Sequence, residues 1–408
     1  MRTLLIHQAF VSPNEPGGTR HYELARHCVD QGHAFTIVAS DQSYLTGQRT
    51  TNGRAKLVIE EDIAGVRVLR AYTYPSLHRS FVWRVVAFLS FMVTSVVAGL
   101  RAGPVDLVIG TTPPIFQALS AWLVAVLRRR PFLLEIRDLW PEFAIGMGVL
   151  TNPVLIVGAR LLESFLYAQA THLLVNSPAY RDYLIKKGIR VDKITLIANG
   201  VDPSMFNSED QGLHIRSTLH VDDKFVITYA GAIGLANDIP TILNAAEILK
   251  DNSQIHFLLV GDGKERAKLE DSVRARNLTN VTFTGSRPKS DMAGILAASD
   301  ACLATLQDIP MFRTTYPNKV FDYMAAARPT ILGIDGVIRD VIEAANGGIF
   351  VQPGSARALA DAVAQLAAQP DTAQEMGRSA RAYVVEHFNR ADQSRAFTDL
   401  IRRIATRS

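Results

Sequence analysis

The sequence predicts an α/β protein made of two similar halves, each a doubly wound, mostly parallel sheet. Three observations predict it. Short apolar runs alternate with helical patterns along the whole chain, the signature of strand–helix–strand units. The series restarts once: "KFVITYAGAIG" (Lys224–Gly234) opens a second set as "TLLIHQAF" (Thr3–Phe10) opens the first. The length of 408 residues corresponds, as a soft prior, to two or three domains.

Taken in order, "TLLIHQAF" reads as a buried first strand and "VSPNEPGG" as a loop. "TRHYELARHCVDQG" reads as a helix and "HAFTIVAS" as the next strand. After a variable stretch come "VRVLRAY", "VDLVIGT", "PFLLEIRD" and "THLLVNS", each strand-like and each followed by a helix candidate. This half closes near "KITLIANGVD", and the polar, turn-rich "VDPSMFNSEDQGLH" (Val201–His214) reads as the linker. The second half brings the amphipathic helix "DIPTILNAAEILKD" and the strands "IHFLLVGDG", "VTFTG", "DACLATL", "PTILGID" and "GGIFVQPG". The expected domains are 1–205, 206–385, and a terminal helical segment 386–408 that packs back on the first half.

Composition narrows the function classes. Hydrophobic residues make up 48% and charged residues 20%, so a large core is expected and disorder is not. A net charge of +4 with pI near 9.0 lacks the polybasic character of a nucleic-acid binder; it suits anionic substrates or an anionic membrane surface. Cys28 and Cys302 form neither a disulfide framework nor a metal-ligand spacing, which points to a reducing, cytoplasmic compartment. "MRTLLIHQAF" does not read as a signal peptide. The apolar segment at about 81–100 has Arg79, Arg84 and Arg101 at its flanks and Trp83 near one edge. Its uncharged part, Val85–Leu100, falls short of a full membrane span, leaving a span, an interfacial helix and a core helix as readings. Ile115–Leu127 has the length of a core helix and ends in Arg128–Arg130, which suit acidic lipid headgroups.

Ligands of parallel sheets bind at the carboxyl ends of the strands, and the candidate site residues lie there. Gly17 and Gly18 precede a helix, where free N–H groups and the helix dipole favour a phosphate or carboxylate; a plain tight turn is the other reading. Gly231 and Gly234 offer a similar loop in the second half. "LLVGDGKER" has Arg266 at the third glycine position of the dinucleotide fingerprint, which argues against a nicotinamide cofactor. In "EIRDLWPEF", Arg137 and Asp138 emerge after a strand beside the rigid Trp140-Pro141 wall. In "YPNKVFDYMAAARP" (Tyr316–Pro329), Lys319 and Asp322 are three apart and share a helix face. A carboxylate accepts the two hydroxyls of a ribose, and a cation stabilises a leaving diphosphate. Arg287, Arg313 and Arg339 are further cations on loops of this half.

The chain resembles glycosyltransferase family 4, of GT-B fold, over essentially its whole length. The motifs that carry the resemblance are "PGGTRHYELARH", "EIRDLWPE", "NSPAYRDYL", "ITLIANGVD", "YAGAIG", "LLVGDGKER", "VTFTGSRPKSDM" and "YPNKVFDYMAAARP", in that order. In detail it is similar to the branch that builds bacterial O-antigen and capsule glycans, including N-acetyl-L-fucosaminyltransferases. The resemblance implies two facing Rossmann-like domains with an interdomain cleft. It implies retaining transfer from a nucleotide-sugar, usually a UDP-sugar, with no cofactor and no catalytic metal. The acceptor would be a lipid-diphosphate-linked glycan at the inner face of the plasma membrane. The family's ribose-binding acid falls on Asp322. Its paired acid is replaced by Thr314, its basic pair falls near Ala232 and Asn237, and its first-domain histidine is replaced by Arg137. Lys319, with loop N–H groups and Arg313, is then the expected diphosphate clamp; Asp138 is an acceptor orienter or base. A UDP-sugar 2-epimerase of the same fold and a non-catalytic nucleotide-binding scaffold are the alternative readings.

Overall fold

A computed structural model describes residues 1–406 apart from 14, 16, 44–46, 48, 51–55, 76–80 and 208–211, and the side chains of 81, 82 and 84 are not described. Arg79, the Arg84 side chain, and parts of the glycine loop and of the expected linker lie outside the described residues. The chain divides into two compact units. The first comprises Met1–Ser12, Thr19–Ala198 and Asp392–Ser408; the second comprises Pro13–Gly18 and Asn199–Ala391.

In the first unit the elements are β1 (Arg2–Ile6), α1 (Arg20–Asp30), β2 (Ala34–Ser40), β3 (Val58–Ile63), β4 (Val66–Ala71) and α2 (Phe81–Arg101). They continue with β5 (Leu107–Thr112), α3 (Ile115–Arg128), β6 (Phe132–Ile136), α4 (Glu142–Gly146) and α5 (Pro153–Gln169). The series closes with β7 (His172–Val175), α6 (Pro178–Lys186) and β8 (Ile194–Leu196). The sheet order is β3-β4-β2-β1-β5-β6-β7-β8. Every neighbouring pair is parallel except β3–β4, an antiparallel hairpin. β3 is absent from the expectation above. Its "VIEEDI" is an edge strand with charges on the solvent side, too polar to announce itself.

A sheet covered on both faces needs apolar residues on both, and the strands of this one are buried almost throughout. One face, carrying Leu5, Ile37, Ile109 and Leu133, packs on Leu24 and Cys28 of α1 and on Phe397, Leu400 and Ile401 near the C-terminus. The other face lies under α2 and α3. A Cβ on Gly110 of β5 would stand 2.7 Å from Ala121 Cβ, and one on Gly99 of α2 would stand 3.0 Å from Val124 and 3.5 Å from Leu4. That fit makes α2 a core-packing helix. Its internal polar groups are satisfied locally: Ser90 donates to Ala87 O at 2.8 Å and Thr94 to Tyr72 O at 2.7 Å, while Ser120 of α3 donates to Met92 O at 3.0 Å. Among the described residues no helix is long and apolar enough to cross a membrane, so the spanning reading of 81–100 is set aside.

The second unit runs α7 (Leu213–Leu219), β9 (Phe225–Ala230), α8 (Ile239–Ile248), β10 (Ile255–Val260), α9 (Arg266–Ala275), β11 (Val281–Gly285) and α10 (Met292–Ala297). It continues with β12 (Ala301–Thr305), α11 (Asn318–Ala325), β13 (Thr330–Gly333), α12 (Val337–Ala344), β14 (Gly348–Phe350), α13 (Ala356–Ala368) and α14 (Pro370–His387). Its six strands are all parallel, in the order β11-β10-β9-β12-β13-β14. The core joins Ile227, Tyr229, Phe257, Leu303 and Ile331 of the sheet to Ile242 of α8 and Val363 of α13. Near its end, Asn389 bridges Val201 in parallel, and the buried Arg390 donates to Gly200 O at 2.6 Å. The last helix, α15 (Arg390–Thr406), then delivers its residues from Asp392 onward to the first unit.

Candidate functional site

In the second unit the candidate residues gather where β9 ends. β9 is apolar and buried, and its carboxyl end runs into the loop Gly231–Asp238. Two glycines explain how that loop is held. A Cβ on Gly261 would fall 1.8 Å from Gly231 O, and one on Gly263 would fall 2.3 Å from Ile233 O. The "VGDG" glycines therefore let two loops pack backbone against backbone. A Cβ on Gly231 would likewise meet Lys319 Nζ at 2.9 Å, whereas Gly234 has no near neighbour closer than Asn237 Nδ2 at 3.9 Å.

Helix α11 brings Lys319 and Asp322 to this loop. Val320, Phe321, Tyr323 and Met324 bury its inner face, and the Tyr323 hydroxyl accepts from Ala230 N at 2.8 Å and donates to Ala230 O at 3.2 Å. Helix and strand end are thus fixed to each other. Lys319 Nζ donates to the Tyr229 hydroxyl at 2.7 Å and to Asn237 Oδ1 at 3.3 Å, and stands 4.0 Å from the centre of the Tyr229 ring. Among the described residues no carboxylate compensates it, so desolvation lowers its pKa to about 7.

Asp322 does not pair with Lys319. Its Oδ2 accepts from Lys289 Nζ at 2.6 Å, and both side chains are largely buried. Its other oxygen has no hydrogen-bond donor among the described residues. Lys289 sits in the short turn before α10 and escapes a sequence reading because loop cations look alike. Arg287, two residues earlier, is the exposed one and has no ion-pair partner among the described residues. Arg313 is held by Asp308 at 3.2 Å and Asp335 at 3.9 Å, and Arg339 pairs with Asp335 and Glu343. Gly17 and Gly18 group with this second unit, where a Cβ on Gly18 would stand 3.4 Å from Asn318 Nδ2 at the start of α11.

The first unit has its own cluster at the ends of β1, β5 and β6. Arg137 Nε donates to Thr111 Oγ1 at 2.8 Å, which fixes the guanidinium against β5. Burial raises the Asp138 carboxyl to about 6, against the pull of Arg137 and a 3.5 Å hydrogen bond from the Tyr180 hydroxyl. Four neighbours are not singled out from the sequence. Glu135 is buried and accepts from His21 and from Arg20. Burial pushes its carboxyl up, but His21, Arg20 and Arg137 together hold it well below the usual carboxylate range. His7, after β1, lies 4.4 Å from the His21 ring and is 3% exposed. Neither of its ring nitrogens has a hydrogen-bond partner among the described residues. Burial, then Arg137 and His21, keep its pKa well below the ordinary histidine value, so the ring is neutral. A neutral imidazole, a fixed guanidinium and an acid that titrates near 6 are groups that recognise hydroxyls.

Comparison with known proteins identifies both halves. Residues 17–200 match the Glycosyl transferase 4-like domain, and residues 210–383 match Glycosyl transferases group 1. The Escherichia coli K12 protein WcaI, named as a glycosyl transferase of colanic acid biosynthesis, is 24% identical over 98% of this chain and 99% of its own. Sucrose-phosphate synthase of Thermosynechococcus elongatus superposes with a TM-score of 0.80 at 20% identity, over 100% of both chains. Anabaena HepE, solved in complex with UDP-glucose, superposes with a TM-score of 0.73 at 16% identity, over 98% of this chain and 99% of its own. These likenesses establish the GT-B fold. With residues 17–200 matched to the Glycosyl transferase 4-like domain and residues 210–383 to the Glycosyl transferases group 1 domain, the chain is a two-domain glycosyltransferase.

Proposed function

We propose that the protein transfers an N-acetylated amino sugar from a UDP-sugar to a lipid-diphosphate-linked glycan, with retention of configuration, in the synthesis of a surface polysaccharide. The name of WcaI supports the polysaccharide assignment, and the UDP-glucose held by HepE supports the donor class. The branch resemblance noted above, to N-acetyl-L-fucosaminyltransferases, supports the amino sugar. The observation that carries the reading is Lys319, which has no carboxylate beside it among the described residues, on the same helix as a carboxylate with one oxygen that accepts no hydrogen bond from them.

In this reading Asp322 accepts the ribose diol and Lys319 meets the diphosphate. The bond from the anomeric carbon to the diphosphate oxygen breaks as the bond to the acceptor oxygen forms. The acceptor proton passes to the leaving diphosphate, whose charge Lys319 stabilises. No cofactor or metal is required, and His7, Arg137 and Asp138 of the first unit bind acceptor hydroxyls. The protein works as a peripheral enzyme on the cytoplasmic face of the membrane that carries its acceptor.

Calorimetry with UDP and 2′-deoxy-UDP tests the donor side. The natural enzyme is expected to prefer UDP by about tenfold, roughly 1.4 kcal/mol, and Asp322→Ala to bind the two alike. Equal affinities in the natural enzyme would remove Asp322 from the ribose. Mass spectrometry of products from a panel of UDP-sugars and lipid-diphosphate acceptors, with and without EDTA, tests the rest.

A further inference from the structure

The two helix layers of the first unit differ in what they show to solvent. On one face of the sheet, the outer side of α15 carries paired charges of both signs, Arg395 with Asp392 and Arg402 with Asp399. α1 adds Arg26 with Asp30. On the other face, α2, α3 and α5 show solvent an apolar surface: Val93 on α2, Val126 and Leu127 on α3, and Val154, Val157 and Leu161 on α5. Val154 is 76% exposed and Leu161 66% exposed, well outside what core packing requires. The three helices are continuous. Ser120 of α3 bonds to Met92 of α2, and Trp122 of α3 meets Phe165 of α5 edge to face at 4.8 Å.

Charge identifies the occupant. α2, α3 and α5 contain one carboxylate between them, Glu163, and it is buried and bonded to Lys187, Tyr167 and Tyr183. Arg128 donates to Leu100 O at 2.6 Å and Gly103 O at 2.7 Å, which ties the ends of α3 and α2 together. At that edge Arg101, Arg129 and Arg130 are exposed, with no ion-pair partner among the described residues. A second copy of this face would bring more arginines and no acid to meet them. Anionic headgroups supply the missing charge, and an acyl layer covers the apolar side chains.

We propose that the outer surface of α2, α3 and α5, rather than segment 81–100 alone, is the face by which this protein lies on an anionic bilayer. This rests on the reading of a membrane-bound acceptor and names the surface that meets the membrane. The ion pair of Arg160 with Glu142 joins α5 to α4, the helix that follows the Arg137–Asp138 loop, so the same unit carries both the membrane face and the acceptor-side groups.

Co-sedimentation of the full chain with phosphatidylcholine vesicles, with and without phosphatidylglycerol, tests it. The natural protein is expected to bind the vesicles containing phosphatidylglycerol. The double variant Val157→Asp/Leu161→Asp is expected to lose about tenfold or more of that binding, with circular dichroism and UDP affinity unchanged. Val157→Ser/Leu161→Ser serves if the charged pair fails to fold. Arg129→Gln/Arg130→Gln is expected to remove the dependence on phosphatidylglycerol. Full binding by the α5 variants would overturn the proposal while leaving membrane attachment standing. No binding by the natural protein would overturn membrane attachment itself. A dimer that the α5 variants dissociate, measured by light scattering, would assign the face to a second copy and overturn the proposal.

Discussion

Lys319 is an amine enclosed by a phenol ring and an amide, without a counter-ion among the described residues. With a pKa near 7 it is mostly neutral at pH 8.5, and a diphosphate beside it would restore its proton. UDP binding at that pH is therefore expected to take up about one proton, read by calorimetry in two buffers of different ionisation enthalpy, and less at pH 6. Lys319→Met should abolish the uptake and lower turnover by a hundredfold or more, about 2.7 kcal/mol of barrier. Binding without proton uptake in the natural enzyme would place the diphosphate elsewhere. Stability carries the matching sign: the lowered pKa destabilises the fold progressively as pH falls from 10.5 to about 7, and no further below. Lys319 and Asp322 were legible because helical spacing puts a cation and an acid on one short amphipathic segment. Lys289 and His7 were not, because their significance lies in what they face: a carboxylate 33 positions along the chain in one case, and in the other a ring 14 residues away.

At the scale of elements, the donor-side loops depend on backbones that touch. Gly261→Ala would drive a Cβ into Gly231 O at 1.8 Å, at a backbone φ of +147° that also disfavours a side chain. The expected result is a loss of about 2–4 kcal/mol of stability in urea and weakened UDP binding, since the Gly231 loop must move. Wild-type stability in this variant would show that the two loops are not locked. Most strands could be read from the sequence, because parallel strands buried on both faces give unbroken runs such as "LVIGTT" (Leu107–Thr112) and "FVITYA" (Phe225–Ala230). The charged edge strand β3 and the short helices α4 and α7 lack that pattern. The length and apolarity of α2 suggested a membrane segment. What fixes it as a core helix is the fit of Gly99 and its hydroxyl groups to their neighbours, which periodicity alone does not reveal.

Across the whole molecule, the division into two units does not follow the order of the chain. Asp392–Ser408 belongs with the first unit, and Phe397, Leu400, Ile401 and Ile404 are part of its core. A fragment of residues 1–198 is therefore expected to aggregate, and the same fragment carrying 392–408 through a flexible linker to fold, as read by light scattering and thermal melting. A monomeric, cooperatively melting 1–198 would show that α15 is dispensable. Because residues 392–408 complete a core that residues 1–198 begin, the apolar surface of α1 stays uncovered in the nascent polypeptide while Asn199–Ala391 is being made. That interval is when this protein most needs a chaperone.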